Sequence, residues 1–143
     1  MPDPTSIHAT QQKFELPTLL VKDFAHWSVT LRRHQVTLGS LVLIAKSEAT
    51  SWSDLSQEAF TELKTVTSSI EGTLKSLFAY DKINYLMLMM VDPQAHFHVL
   101  PRYEQKRSFE GLEIEDAGWP KTPDLGSGTT LDDDMAKRLI AHF

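Results

Sequence analysis

The fold of this chain is decided by one stretch, Gln94-Ala95-His96-Phe97-His98-Val99-Leu100-Pro101-Arg102. Polar and apolar residues alternate along it, which is the pattern of a β-strand with two different faces. One face would carry Gln94, His96, His98, Leu100 and Arg102. Two imidazoles two residues apart on a strand lie about 7 Å apart on the same face. The stretch therefore predicts a strand on which polar groups converge, close enough for both rings to touch one phosphate group.

Paired imidazoles suit phosphate chemistry because the unperturbed pKa of histidine is roughly 6.5. Near neutral pH one ring can attack phosphorus while a protonated partner donates to an oxygen. Two other interpretations of His96-X-His98 stay open: a solvent-facing pair, or two ligands of a metal site. No third metal ligand is evident from the sequence, which makes the metal site the weaker alternative.

The flanking segments predict an α+β fold. A strand is expected within residues 24–33 and an apolar central strand within 39–45. Apolar residues at three- and four-residue steps predict a helix over residues 59–78, with Asp54 or Ser56 as its cap. Residues 82–90 and 95–103 predict a hairpin joined by a tight turn. Together these elements predict an antiparallel sheet of about five strands with one long helix.

The two ends of the chain differ from this middle part. Residues 1–12 are polar and proline-containing, which predicts a flexible tail. Residues 13–143 are expected to form a single domain, in which 104–143 is a loop-rich C-terminal extension that ends in a short helix.

Composition limits the class of protein. The formal net charge of -5 argues against broad binding to nucleic acid, which depends on excess positive charge. The longest apolar run, Leu86 to Val91, is too short to cross a bilayer, so no membrane association is expected. The chain has no cysteine, which is consistent with a cytoplasmic location.

The run of alternating histidines followed by Val99-Leu100-Pro101-Arg102 resembles the signature of the histidine-triad (HIT) family, and the resemblance extends more weakly over residues 24–103. It implies a HIT-like fold and a hydrolase or nucleotidyltransferase, similar to the dinucleoside polyphosphate hydrolases, that requires no cofactor. By this resemblance, His96 is the nucleophile that attacks the α-phosphorus and His98 contacts the phosphate oxygens. It also implies a homodimer and a nucleotide or dinucleoside polyphosphate as ligand.

Three positions depart from the family pattern. Gln94 occupies the first triad position, where it can orient its neighbour by hydrogen bonding but cannot titrate. Ser40 follows Gly39 where the family often has a histidine, and only Val91-Asp92-Pro93 stands where a longer phosphate loop is common. A nucleotide-binding protein with weak or no turnover is therefore the second functional hypothesis.

Phosphate binding is assigned to Arg102, Arg32 and Ser40. Arg32 belongs to a basic patch with Arg33 and His34, for which a solvated strand edge is the alternative interpretation.

Overall fold

A five-stranded antiparallel sheet forms the centre of the molecule. The computed structural model describes residues 7–143. The strands are, in chain order, β1 (Leu20–Asp23), β2 (Trp27–Leu31), β3 (His34–Gln35), β4 (Leu41–Ala45), β5 (Lys82–Leu86), β6 (His96–Arg102), β7 (Arg107–Phe109), β8 (Leu112–Ile114) and β9 (Thr129–Thr130). The main sheet has the order β1-β2-β4-β6-β5. The helices are α1 (Ala9–Lys13), α2 (Gln57–Phe78) and α3 (Asp133–Ile140). The predicted α+β class and five-stranded sheet are confirmed.

Helix α2 covers one face of the sheet. Its apolar residues recur at helical spacing, and Val66, Ile70 and Leu74 are buried against the sheet's odd-numbered side chains. Burying each such side chain contributes about 2 kcal/mol to stability. Ser56, one of the two predicted caps, accepts a hydrogen bond from the backbone N–H of Ala59 and starts the helix. No helix within residues 7–143 is long and apolar enough to cross a membrane.

The opposite face of the sheet carries the histidines, and the N-terminal segment lies over it. The prediction of a flexible tail is wrong for residues 7–12, while residues 1–6 lie outside the described part of the chain. His8 caps α1, and its Nε2 lies 2.6 Å from the carbonyl oxygen of Ala45. Thr10 and Gln11 are buried as well. Side chains at this end make specific contacts with distant strands, which a search for apolar periodicity does not detect.

The connection between β5 and β6 is longer than the sequence indicated. The hairpin exists, but β5 ends at Leu86, so residues 87–95 form the connection. Met89 has a left-handed backbone with φ 52°, which interrupts the strand. Ala95 is bonded to Ala45 and Ala49 instead of to a continued β5. The space for a phosphate-binding loop is therefore not confined to residues 91–93.

The C-terminal extension packs back onto the domain. Strands β7 and β8 form a hairpin, and β9 pairs with β3. The predicted final helix is α3, which Asp132 caps and which buries Ala136 and Leu139. The extension thus reaches the same region of the molecule as the basic residues that follow β2.

Candidate active site

Two histidines lie side by side on the buried polar face of β6. His96 is opposite Ile44 and His98 is opposite Val42, both on β4. The two rings are nearly perpendicular, and their centroids are 5.2 Å apart. His96 is only 2% exposed and His98 9%. The structure therefore brings the two predicted catalytic imidazoles together, close enough to share one ligand.

The hydrogen bonds of His96 define which nitrogen is available. Its Nδ1 lies 2.7 Å from the carbonyl oxygen of Gln94. A carbonyl oxygen only accepts, so Nδ1 carries the proton and donates to it. In the neutral ring the lone pair is then on Nε2, for which no hydrogen-bond partner is found among residues 7–143. This is the arrangement that a nitrogen nucleophile requires.

His98 is in a different electrostatic environment. Burial, with smaller contributions from the positive charge of Arg32 and from His96, lowers the pKa of His98 to about 4. His98 is therefore uncharged near pH 7. The expectation that a protonated partner ring donates to the phosphate is thus wrong for the ligand-free protein. The physical reason is chiefly that burial removes the water that would stabilise an imidazolium, and the positive charge of Arg32 opposes the imidazolium further.

Gln94 orients the nucleophile, but not through its side chain. The side-chain oxygen of Gln94 accepts from the hydroxyl of Thr10 at 2.6 Å and from its backbone N–H at 3.2 Å. The backbone carbonyl of Gln94, in contrast, is the group that holds His96. The predicted orienting role therefore belongs to an atom that every residue type supplies, and the amide fastens the N-terminal segment instead.

Phe14 is the site residue that the sequence analysis missed. Its ring centroid lies 5.6 Å from that of His96 and 5.7 Å from that of His98. It follows α1 directly and covers the two imidazoles from the side opposite the sheet. The only available signal was an aromatic residue at the edge of the segment expected to be a flexible tail.

Two predicted phosphate-binding residues, Ser40 and Arg102, hold neighbouring segments of the fold together. Ser40 is fully buried, and its hydroxyl donates to the carbonyl of Thr37 at 2.6 Å and accepts from the Thr37 N–H. Arg102 is 4% exposed, and its guanidinium donates to Asp116, Asn84 and the carbonyl of Lys121. The hydroxyl of Ser40 has no donor left, whereas Arg102 uses four of its five N–H donors and keeps one on Nη1.

Arg32 is the predicted phosphate-binding residue that does lie at the histidines. Its Nε is 3.3 Å from Nδ1 of His98, and its Nη1 donates to the carbonyl of His34 at 2.6 Å. Among the described residues its Nη2 has no hydrogen-bond partner. Arg32 also lines a pocket that includes Phe14 but neither of the two histidines, so this side chain lies between that pocket and His98.

That pocket has a volume of about 270 Å³. It is lined by Lys13, Phe14, Glu15, Leu19, Leu31, Arg32, Arg33, His34 and Thr130. Arg33 and His34 form parts of its wall: Arg33 binds Glu15 and Asp133, and His34 contacts Thr130 and the carbonyl of Ser127. The three residues of the basic patch therefore do not act as one phosphate-binding group or as one solvated strand edge, because only Arg32 contacts a histidine of β6.

A second cleft, of about 790 Å³, runs along β5, and Arg102 is one of its lining residues. Trp119, Pro120 and Lys121 of the C-terminal extension form its outer wall. No group of three or more histidine, aspartate or glutamate side chains within residues 7–143 is arranged to hold a metal ion.

Comparison with known proteins gives the family. A family model described as "HIT domain" matches residues 13–105, more than half of the chain. No curated protein matches the sequence. Membership of this family supports a nucleotide-binding hydrolase or transferase activity in general.

Solved structures share the fold at low identity. A histidine triad protein from Bradyrhizobium japonicum is similar with a TM-score of 0.71 and 19% identity, over 95% of this chain and 92% of that chain. A hypothetical histidine triad nucleotide-binding protein from Sulfolobus tokodaii has a TM-score of 0.65 and 17% identity, over 93% and 85%. The NitFhit protein of C. elegans has a TM-score of 0.63 and 15% identity, over 87% of this chain and 26% of that chain. Since the matched residues include the whole main sheet, helix α2 and both histidines of β6, the chain belongs to the HIT domain family.

Proposed function

We propose that this protein is a nucleotide hydrolase or nucleotidyltransferase that acts at the α-phosphate through a covalent intermediate on His96. The observation that carries the proposal is the hydrogen bond from Nδ1 of His96 to the carbonyl of Gln94, because it leaves the Nε2 lone pair for attack. His98 lies beside it as the group that contacts the phosphate oxygens. Arg32 adds positive charge at the same point.

The proposed reaction has two steps. The lone pair of Nε2 forms a bond to the α-phosphorus while the bond from phosphorus to the leaving group breaks, which is an oxygen in a polyphosphate and a nitrogen in a phosphoramidate, and the leaving group takes the electron pair. Water or another hydroxyl acceptor then attacks phosphorus and releases its proton to solvent, while the bond to Nε2 breaks and the ring recovers its lone pair. These steps use only the side chains of the site and require no cofactor.

The proposed substrate is a nucleotide, for example a dinucleoside polyphosphate. Phe14, Leu19 and Leu31 give the pocket beside the histidines an apolar wall that suits a base, and Arg32 stands between this wall and His98. Its volume of about 270 Å³ suits one nucleoside, so the second half of a dinucleotide would extend outside it.

Covalent capture tests this function. The purified protein is mixed with diadenosine polyphosphates and with adenosine phosphoramidate, quenched in base, and weighed intact by mass spectrometry. An added nucleotidyl mass is expected on the unchanged protein and on His142→Ala, a control at an exposed histidine far along the chain. It should be absent from His96→Ala. An adduct on folded His96→Ala would contradict the mechanism.

A nucleotide-binding protein with little turnover is the second candidate. It is favoured by the burial of His96, which is 2% exposed beneath Phe14. In that case nucleotide binds, as calorimetry would measure, but no adduct forms within hours.

We also propose a homodimer located in the cytoplasm. Within the described residues the main sheet ends at β5, whose outer edge has no strand partner. Leu88, Met90 and Val91 are exposed at the end of this edge, and burial of such side chains favours association. Sedimentation equilibrium tests the dimer, and a substitution such as Met90→Lys, at the exposed end of this edge, should produce monomers. The cytoplasmic location is consistent with the lack of cysteine.

A further inference from the structure

The lowered pKa of His98 raises a chemical question about the site. An uncharged imidazole has one proton, and it can donate to a phosphate only if that proton is on the nitrogen that faces the ligand. Nδ1 of His98 already faces Arg32. The function of the ring therefore depends on whether the proton resides on Nδ1 or Nε2.

We propose that Arg32 is a positioning residue that fixes His98 with its proton on Nε2, so that this ring donates a hydrogen bond to the phosphate held at His96. The proposal rests on the function proposed above. It goes beyond the phosphate-binding role assigned to Arg32 from the sequence, because here the guanidinium acts through another side chain.

The chemistry of arginine decides the tautomer. A guanidinium has five N–H donors and no acceptor, and it stays protonated in proteins. Nδ1 of His98, 3.3 Å from Nε of Arg32, must therefore present a lone pair and accept the hydrogen bond. The proton of the neutral ring is then on Nε2. The donation from Nη1 to the carbonyl of His34 at 2.6 Å anchors the guanidinium in this orientation.

The two rings of the site thereby receive opposite tautomers. The carbonyl of Gln94 places the proton of His96 on Nδ1, and Arg32 places that of His98 on Nε2. The ligand side of the site then consists of one lone pair and one N–H. These are the two groups needed to attack phosphorus and to stabilise its oxygens, and the roles of the two histidines cannot be exchanged.

The groups packed around His98 are consistent with this assignment. Arg32 from the end of β2 and His96 from β6 are the charged or titratable groups that act on the ring, and Phe14 covers it with an apolar surface. Protonation of Nδ1 would point an N–H at the guanidinium N–H. Arg32 thus opposes both the alternative tautomer and the imidazolium.

Nitrogen NMR of the ligand-free protein tests the proposal independently of activity. Long-range ¹H–¹⁵N spectra distinguish the two tautomers of each histidine, and the His98→Gln spectrum assigns the ring. In the unchanged protein His98 is expected as the Nε2–H tautomer. In Arg32→Leu, which has no donor, the ring should become a mixture of tautomers and its pKa should rise. A wild-type Nδ1–H tautomer, or an unchanged tautomer in folded Arg32→Leu, would overturn the proposal.

Further variants separate the hydrogen bond from the charge. Arg32→Gln retains a neutral donor and should keep more of the Nε2–H tautomer than Arg32→Leu. It also provides a milder change should Arg32→Leu fail to fold. Arg33→Leu removes a neighbouring positive charge that does not contact His98 and should leave the tautomer unchanged. A shift of the tautomer in Arg33→Leu equal to that in Arg32→Leu would count against a specific contact.

Kinetics distinguish positioning from binding. For Arg32→Leu we expect kcat to fall severalfold, because the donor to the transition state is lost in the fraction of molecules whose His98 has its proton on Nδ1. A residue that only binds phosphate would raise KM and leave kcat unchanged, and that result would overturn the proposal. Failure of the proposed function would look different: the wild-type protein would form no nucleotidyl adduct while His98 still showed the Nε2–H tautomer.

Discussion

The two ends of the polar face of β6 carry similar side chains and have different roles. At one end are His96 and His98, and at the other is Arg102; all three are at least nine-tenths buried. Arg102 is surrounded by acceptors: both oxygens of Asp116, the side chain of Asn84 and a backbone carbonyl. Each histidine ring has one hydrogen-bond partner among the described residues and one nitrogen left over.

This difference shows what distinguishes a functional group of residues from a structural one on the same face of β6. Burial and basic character are common to both ends, so neither marks the functional one. The nitrogen left over on each imidazole marks it instead, because that nitrogen can serve a ligand, whereas four of the five N–H donors of Arg102 are taken by the protein. The comparison predicts that changes at the arginine end alter stability and that changes at the histidine end alter chemistry.

The largest effect is expected from Arg102→Ala. The carboxylate of Asp116, whose side chain is 1% exposed, would lose its countercharge, which should destabilise the protein by about 3–5 kcal/mol. Urea unfolding measures this loss. The double variant Arg102→Met with Asp116→Leu is the control, because it removes both charges and should recover most of the stability. A loss of nucleotidyl transfer with unchanged stability would refute the division between the two ends.

The histidine end should make stability depend on pH. The folded pKa of His98, about 4, lies below its value of roughly 6.5 in the unfolded chain. Between these values the unfolded chain binds more protons, so stability falls as pH drops from about 6.5 to about 4. Urea unfolding at several pH values measures this dependence. Over this window the free energy of unfolding of His98→Gln should fall by roughly 2 kcal/mol less than that of the unchanged protein. Parallel curves for the two proteins would contradict the buried, uncharged state of His98.

The smallest effect on rate is expected at Gln94. Because its backbone holds His96, Gln94→His should change kcat/KM by only a few-fold, equivalent to about 1 kcal/mol or less. The same change, and equally Thr10→Val, removes the bond that fastens the N-terminal segment and should lower stability by about 1 kcal/mol. A tenfold gain in rate with a new limb in the pH profile would show instead that a titrating side chain at position 94 matters.

The sequence predicted those parts of the fold that repeat a simple pattern. The stripe along α2 and the alternation along β6 both follow from burial of one face, so the helix, the central strands and the shared face of His96 and His98 were expected. The role of Arg102 could not be read in this way. An arginine at the end of a polar face looks the same whether its partner is a ligand or Asp116, which is on a separate loop.

The N-terminal segment that covers the two histidines was not predicted from the sequence, for a related reason. Thr10 and Gln94 are 84 residues apart, and their contact depends on side-chain hydrogen bonds without any repeating pattern. Phe14 owes its position over the histidines to that contact and to α1. Short polar segments of this kind are specified by their partners, so they become recognisable only once the sheet has placed those partners.

The ion pairs of Arg33 bear on how the ionic strength of a solution affects this protein. This one cation joins Glu15 of the N-terminal segment to Asp133 at the start of α3, so it ties both ends of the chain to the wall of the nucleoside-sized pocket. Its partners are exposed, and mobile ions screen such pairs at a Debye length of about 10 Å in 0.1 M salt. Added salt therefore weakens the ion pairs that hold the pocket wall and also weakens the attraction between the pocket and an anionic ligand. Both effects contribute to the change in ligand affinity when affinity is measured against salt concentration.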